Sequence, residues 1–303
     1  MRKIASILIV LGLASAVVGR LPVGKTVKDL VMADGDREVV EEGLTLYLDR
    51  FRIDRYPSGK PKQYVSAVKV LEGDARMLGA AEIRVNHPLR KKGWWIYQFG
   101  FGLDQTETMC TQLRCVRDPM LGVAAAGGIL VLLGALGWCF VKREEDVSVP
   151  TGKRRVISWI AAVSVVALPV FIIGRAVMRP DPVPALQSWL MGPHVAAYAM
   201  GYLILFFSVF GIGRRFAPFG FLLMTLGLVL GAVWGKLAWS EWWQFDPKES
   251  WSFATWFAFA LYLQFRSRSK KAVWFLRLAA ALAVITLTWV NFSRLMVGLH
   301  SYA

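Results

Sequence analysis

A series of apolar runs, each close to twenty residues long and separated by short basic loops, limits most strongly what this chain can fold into. From Leu121 onward the runs fall at about 120–141, 156–178, 195–213, 216–235, 251–265 and 273–291. An α-helix needs ~20 residues to cross the ~30 Å hydrocarbon of a bilayer, and each run reaches that, 251–265 only by borrowing flanking residues. The second run contains Pro169, which a lipid-embedded helix accommodates with a kink. A shorter apolar run, Ile4 to Gly19, comes after Met1-Arg2-Lys3. Segment 1–19 reads either as a signal peptide, with Ala14-Ser15-Ala16 suited to a signal peptidase, or as an uncleaved signal-anchor. Both readings send the polar stretch after it across the membrane.

Residues 20–118 are the one long polar stretch. Leu44-Thr45-Leu46-Tyr47-Leu48 alternates, as do Tyr64–Val70 and Ile83–Val85, with turn signals at Pro57-Ser58-Gly59 and Glu72-Gly73-Asp74. Short strands with one wet and one packed face predict a small antiparallel β-sandwich. The predicted fold class is a polytopic α-helical membrane protein of about 6–7 spans with an inserted extracytoplasmic all-β domain. Its order is the β domain at 20–118, a transmembrane span at 119–141, a cytoplasmic loop at 142–155 and a membrane domain at 156–303.

Composition enters through charge. Thirty-six Lys and Arg against 21 Asp and Glu give +15, which alone suggests nucleic acid, but 55% hydrophobic residues and a mean hydropathy of +0.45 argue against it. The basic residues instead mark alternate loops: Lys142, Arg143, Lys153, Arg154 and Arg155, then Arg214 and Arg215, then Arg266, Arg268, Lys270 and Lys271. By the positive-inside rule these loops and the N-terminus are cytoplasmic. The β domain, 179–194, 236–250 and 292–303 then lie outside. Excess charge reports orientation, and no nucleic-acid partner is expected.

Three histidines exist: His87, His194 and His300. The latter two sit on the same outer face and flank WGKLAWSEWWQFDPKESWSFATW, residues 234–256. Six of the thirteen Trp fall there: Trp234, Trp239, Trp242, Trp243, Trp251 and Trp256. An aromatic belt at the headgroup level needs no ligand, yet a belt spreads over all spans and both interfaces. Flat aromatic faces converging on one outer loop, with Asp246, Lys248 and Glu249 nearby, suit a planar apolar ligand bearing carboxylates, and two imidazoles suit a haem iron. Zinc lacks a clearly placed third ligand.

Trp234–Trp256 resembles the tryptophan-rich "WWD" signature of haem-handling proteins of cytochrome c biogenesis (system II), with FDPKESWS close to its W-D-P-K-E-x-W-S. Gly298-Leu299-His300-Ser301-Tyr302-Ala303 is similar to the end of the CcsA/ResC branch. Val85-Asn86-His87-Pro88-Leu89-Arg90-Lys91-Lys92-Gly93, Ile96-Tyr97-Gln98 and Arg117-Asp118-Pro119 resemble the last part of CcsB/ResB, so the chain looks like a short fusion of the two. The resemblance implies that haem b, as bound substrate, is ligated by His194 and His300 on a site bearing Trp234, Trp239, Trp242, Trp243, Asp246 and Trp251. It is then presented to the Cys-x-x-Cys-His thiols of an apocytochrome c, a holocytochrome c synthase-type activity acting alone or within a complex. Further implied partners are an extracytoplasmic thioredoxin-like thiol reductant, membrane lipid and another biogenesis subunit. The implied location is a bacterial cytoplasmic (inner) membrane with the working face periplasmic.

The chain departs from the family at Gln264, where an intramembrane His is usual, at Ser240 for a usual Gly and at Phe245 for a usual Trp. Lys236, Lys248, Arg179 and Arg294 are candidates for propionates, though basic residues at membrane ends mostly snorkel. Asp246 and Glu249 read as loop-fixing hydrogen-bonders rather than acid–base catalysts, and His87 beside Pro88 as a turn residue. Cys110 and Cys115 lie outside, as free thiols or as a bridge that would need a turn between them; Cys139 packs in a span. Two rival functions stay open: a haem carrier or transporter without ligase activity, and a structural membrane subunit whose tryptophans only anchor it.

Overall fold

Residues 1–73, 76–105, 107–141 and 180–288 are described by the computed structural model. The alternating polar stretch forms eight antiparallel strands: β1 (Thr26–Met32), β2 (Arg37–Glu41), β3 (Leu44–Arg55), β4 (Pro61–Glu72), β5 (Arg76–Arg84), β6 (Leu89–Lys91), β7 (Trp94–Leu103) and β8 (Met109–Arg117). They make two four-stranded sheets, ordered β1-β8-β7-β6 and β2-β3-β4-β5. Leu46 pairs with Val70 and Leu48 with Val68, so the period-2 apolar residues of β3 and β4 share one face. That face packs against Leu30, Ile96 and Leu113 of the other sheet in a single core, which is the expected sandwich. Inside it, Ser66 Oγ donates to Gln98 Oε1 at 2.7 Å and Gln98 Nε2 to Thr111 Oγ1 at 2.9 Å.

Six α-helices make up the membrane half among the described residues: α1 (Arg2–Val18), α2 (Leu121–Cys139), α3 (Met191–Val209), α4 (Ala217–Trp239), α5 (Pro247–Phe265) and α6 (Val273–Leu287). Three are long and apolar enough to cross a membrane: α2, α3, and α4 with its leading 3-10 turn, Arg214–Trp239. Nineteen residues at about 1.5 Å each span about 28 Å, close to the hydrocarbon thickness. Of the six to seven expected spans, three meet this length and composition among the described residues. The run at 156–178 lies outside them, and α5 carries Lys248 and Glu249 in its first turn.

The N-terminal helix is bound into this bundle. A Cβ on Gly12 would stand 2.7 Å from Gly127 O, and one on Gly134 2.7 Å from Ala5 O, so α1 and α2 meet along a seam of small residues, as helices do in lipid. Ala5 and Ile9 join the bundle core. Ser6 Oγ donates to Gln264 Oε1 at 2.7 Å, so Gln264 is engaged with α1. Arg2 also reaches Ser267, which puts the N-terminus at the same end as Arg266–Lys271. The sandwich, Pro182–Leu190 and Ser240–Asp246 gather at the opposite end.

Candidate functional site

The tryptophan-rich segment is mostly helix, not the loop its composition suggests. Trp234–Trp239 is the last part of α4, and Pro247–Trp256 the first part of α5. Only Ser240–Asp246 connects them. The restart is encoded locally: Lys248 N donates to Asp246 Oδ1 at 2.8 Å, Asp246 N donates to Glu249 Oε2 at 3.3 Å, and Pro247 takes the first helical position. That is a capping box with an N1 proline, legible in Asp-Pro-Lys-Glu. Glu249 Oε2 also accepts from Gln244 N at 2.8 Å, so both carboxylates brace the connection.

His194 stands in the first turn of α3, half-buried, and leans on α4. Its Nδ1 lies 2.7 Å from Gly227 O. A carbonyl only accepts, so Nδ1 carries a proton, and the neutral ring then has the tautomer suited to ligating a metal through Nε2. A Cβ on Gly231 would come within 2.6 Å of His194 Cε1; the glycine makes the notch in which the ring sits. Tyr198 meets the imidazole edge-on at 5.4 Å, and Trp234 lies 6.0 Å away at 55°.

The tryptophans divide into two groups. Trp234, 2% exposed, packs on Trp239 at 5.3 Å and donates from Nε1 to Ala185 O at 3.1 Å. Trp243 meets Phe253 edge-on at 5.9 Å, and Phe253 stacks on Trp256 at 5.6 Å. Trp256, 1% exposed, donates to Thr225 Oγ1 at 2.8 Å and belongs to the bundle core. Trp242, Trp243 and Trp251 are half-buried at this outer end. The structure thus joins His194 with Trp234 and Trp239, makes Asp246 the helix cap, and assigns Trp256 to packing. His300 lies outside the described residues, as do Arg179 and Arg294.

Lys236 is not placed as a propionate partner. It is 3% exposed, donates to Ser240 O at 2.9 Å, stands 3.9 Å from Asp118 and 5.9 Å from the Trp95 ring. It closes the junction with the sandwich, where Lys25 also pairs with Glu241. Burial beside Glu241 and Asp118 pushes the Tyr97 phenol well above its ordinary value, against a lowering from Arg90. Ser240 ends α4 at φ +69°, a left-handed conformation that favours glycine. Cys110 and Cys115 are free, buried thiols on β8, and burial pushes Cys115 up to about 12.

Sequence reasoning gave no role to Gly227, Gly231 or Ala185, and named Asn86 only as part of the Val85–Gly93 motif. The first two had a signal: Gly227, Gly231 and Gly235 repeat every four residues in α4, the small-residue spacing of close helix contacts in lipid. Ala185 acts through its backbone carbonyl and leaves no compositional trace, while Asn86 acts through a side-chain amide whose partners lie far along the chain.

Residues 14–114 match the ResB-like family and residues 208–302 the Cytochrome C assembly protein family. The second match contains Trp234–Trp256 and His300, and begins after His194. Similar relatives include the cytochrome c biogenesis protein CcsA of Prochlorococcus marinus, 44% identical over 97 residues, which covers 30% of this chain and 29% of the relative. CcsA of Manihot esculenta is 38% identical over 93 residues, again 30% and 29%. CcsA of Glycine max is 38% identical over 92 residues, 30% and 28%. The chain spans under a third of the length of these curated relatives. It carries a ResB-like segment followed by a CcsA-like segment in one polypeptide.

Proposed function

We propose that the chain acts in cytochrome c biogenesis, holding haem at the sandwich end of its helices and presenting it to the Cys-x-x-Cys-His thiols of an apocytochrome c. The observation that carries this is His194, held as the Nδ1–H tautomer by Gly227 O and packed on Trp234. It stands beside a segment matching the Cytochrome C assembly protein family. His194 Nε2 and His300 are the proposed iron ligands, and Trp239, Trp242, Trp243 and Trp251 the aromatic surroundings, with Trp234 and Asp246 fixing the geometry. Haem and the acceptor thiols supply the reactivity, while the protein supplies proximity, orientation and a fixed imidazole. In this reading α1 is a retained anchor, the sandwich faces the periplasm of a bacterial inner membrane, and a thioredoxin-like reductant keeps the acceptor thiols reduced.

The purified full chain tests this. A Soret band with low-spin bis-His features is expected, lost in His194→Gly and in His300→Gly; colourless wild-type protein with normal folding overturns the haem reading. Co-expression with a Cys-x-x-Cys-His reporter, in cells lacking their own maturation system, separates ligase from carrier. Haem stain surviving a denaturing gel is expected, and its absence leaves a carrier or an incomplete complex.

A further inference from the structure

The sandwich touches the segment that leads into α3 at two of its turns. Tyr56, in the turn between β3 and β4, donates from its hydroxyl to Pro182 O at 3.1 Å, and Gln187 Nε2 donates back to Lys62 O at 2.6 Å. Asn86, in the turn between β5 and β6, donates from Nδ2 to Pro184 O at 3.0 Å and to Ala185 O at 3.1 Å. Ala185 O is the carbonyl that also accepts from Trp234 Nε1. One oxygen therefore joins the sandwich to the indole that packs on His194.

Two demands meet at Asn86. Its φ is +68°, a region where asparagine is among the few side chains tolerated without large strain. Two carbonyl oxygens face its amide, so the nitrogen with its two hydrogens must point at them. The residue is 7% exposed, and its Oδ1 has no partner among the described residues. A buried amide with one end unsatisfied costs stability, yet the two bonds it makes fall on the stretch that sets Trp234. Glycine would suit the turn better and would make neither bond.

We infer that Asn86 is a positioning residue of the His194 site: through Ala185 O it fixes the Trp234 indole, and through Trp234 the orientation of the imidazole. The sandwich is thereby a working part of the site, since it holds the segment Pro182–Gln187 in register with α4. This rests on the proposed haem reading for its purpose, though not for its geometry. Outer contacts that orient a metal-ligating histidine typically change affinity 10–100-fold when removed.

The test uses the full chain in nanodiscs with two variants. Asn86→Gly keeps the left-handed turn and removes both bonds; Asn86→Asp keeps the shape and turns acceptors toward acceptors. The haem-independent readout is the carbethoxylation rate of His194, followed by peptide mass spectrometry and calibrated against N-acetylhistidine. It is expected to rise several-fold in both variants, more in Asn86→Asp, while Asn86→Gly melts like the wild type. With haem added, binding is expected to weaken about tenfold in Asn86→Gly, with altered low-spin g-values. An unchanged His194 rate in both folded variants overturns the inference. If wild-type protein binds no haem, the haem reading fails, and the His194 rate still decides the positioning role.

Discussion

The sandwich interior and its junction with the helices both bury polar groups, and they treat them differently. Inside the sandwich, Ser66, Gln98 and Thr111 satisfy one another, with Gln98 Nε2 also reaching Gly100 O at 2.9 Å. At the junction, Asn86 Oδ1, Tyr97 OH, Ser240 Oγ and Trp242 Nε1 are buried without a partner among the described residues. A closed network rigidifies a core, whereas an orphaned polar atom costs about 1–3 kcal/mol. The sandwich closes its central Ser66–Gln98–Thr111 cluster and leaves Trp94 Nε1 unpartnered among the described residues, while the junction gathers several such atoms around His194 and the tryptophans.

Paired substitutions can break this contrast. Gln98→Leu removes the hub of the closed network and is expected to lose about 2 kcal/mol, read by denaturant unfolding of the sandwich in the full chain. Trp242→Phe removes an orphaned N–H along with part of a half-buried ring, and is expected to stay within about 0.5 kcal/mol of wild type. Equal losses at the two sites would remove the distinction.

A smaller effect of opposite sign sharpens it. Ser240 combines a left-handed backbone, 1% exposure and an unpartnered hydroxyl. Ser240→Gly removes both penalties and is expected to stabilise the chain by about 1 kcal/mol after glycine's greater freedom in the unfolded chain is offset. Higher thermal melting of the purified variant is the expected sign, and a lower melting temperature would show that the hydroxyl serves the junction.

Legibility divides along the same line. The strands of the sandwich are written as period-2 alternation, and Leu46 and Leu48, both 0% exposed, fall where that alternation puts them. Apolar length announces α2, α3 and α4, but α3 begins four residues before the run at 195–213 and α4 continues four residues past the run at 216–235. The tryptophan segment is harder to parse, because aromatic density reads as a surface cluster while Asp246-Pro247-Lys248-Glu249 starts a helix within it. Lys236 shows the limit most clearly. A lysine at a span end normally reaches water, but here a domain far upstream supplies Asp118 and Trp95 and covers it. Contacts made across domains leave no periodic mark in sequence, and the grip of Asn86 on Ala185 O is of that kind.

The last contrast is between ion pairs. Lys236 and Asp118 are 3% and 10% exposed and 3.9 Å apart, a loose buried pair inside the junction. Arg114 meets Asp29 on the sandwich exterior through two bonds, Nε to Oδ1 at 2.8 Å and an NH2 group to Oδ2 at 2.7 Å. The guanidinium hydrogen bond holds the Asp29 carboxyl below its ordinary 3.8, with burial opposing. A carboxyl lowered in the folded state contributes stability that is full above its unfolded value and lost as pH falls through the folded one. Asp29 is half exposed, so solvent screening limits the pair to ~0.5 kcal/mol. Asp29→Asn is therefore expected to melt slightly below wild type at neutral pH, with the gap closing as the pH drops below 3.8. Melting curves at neutral and acid pH measure this directly. A gap that persists in acid would mean that Asp29 acts through packing rather than charge, and that the sandwich exterior is less independent of the junction than its hydrogen bonds imply.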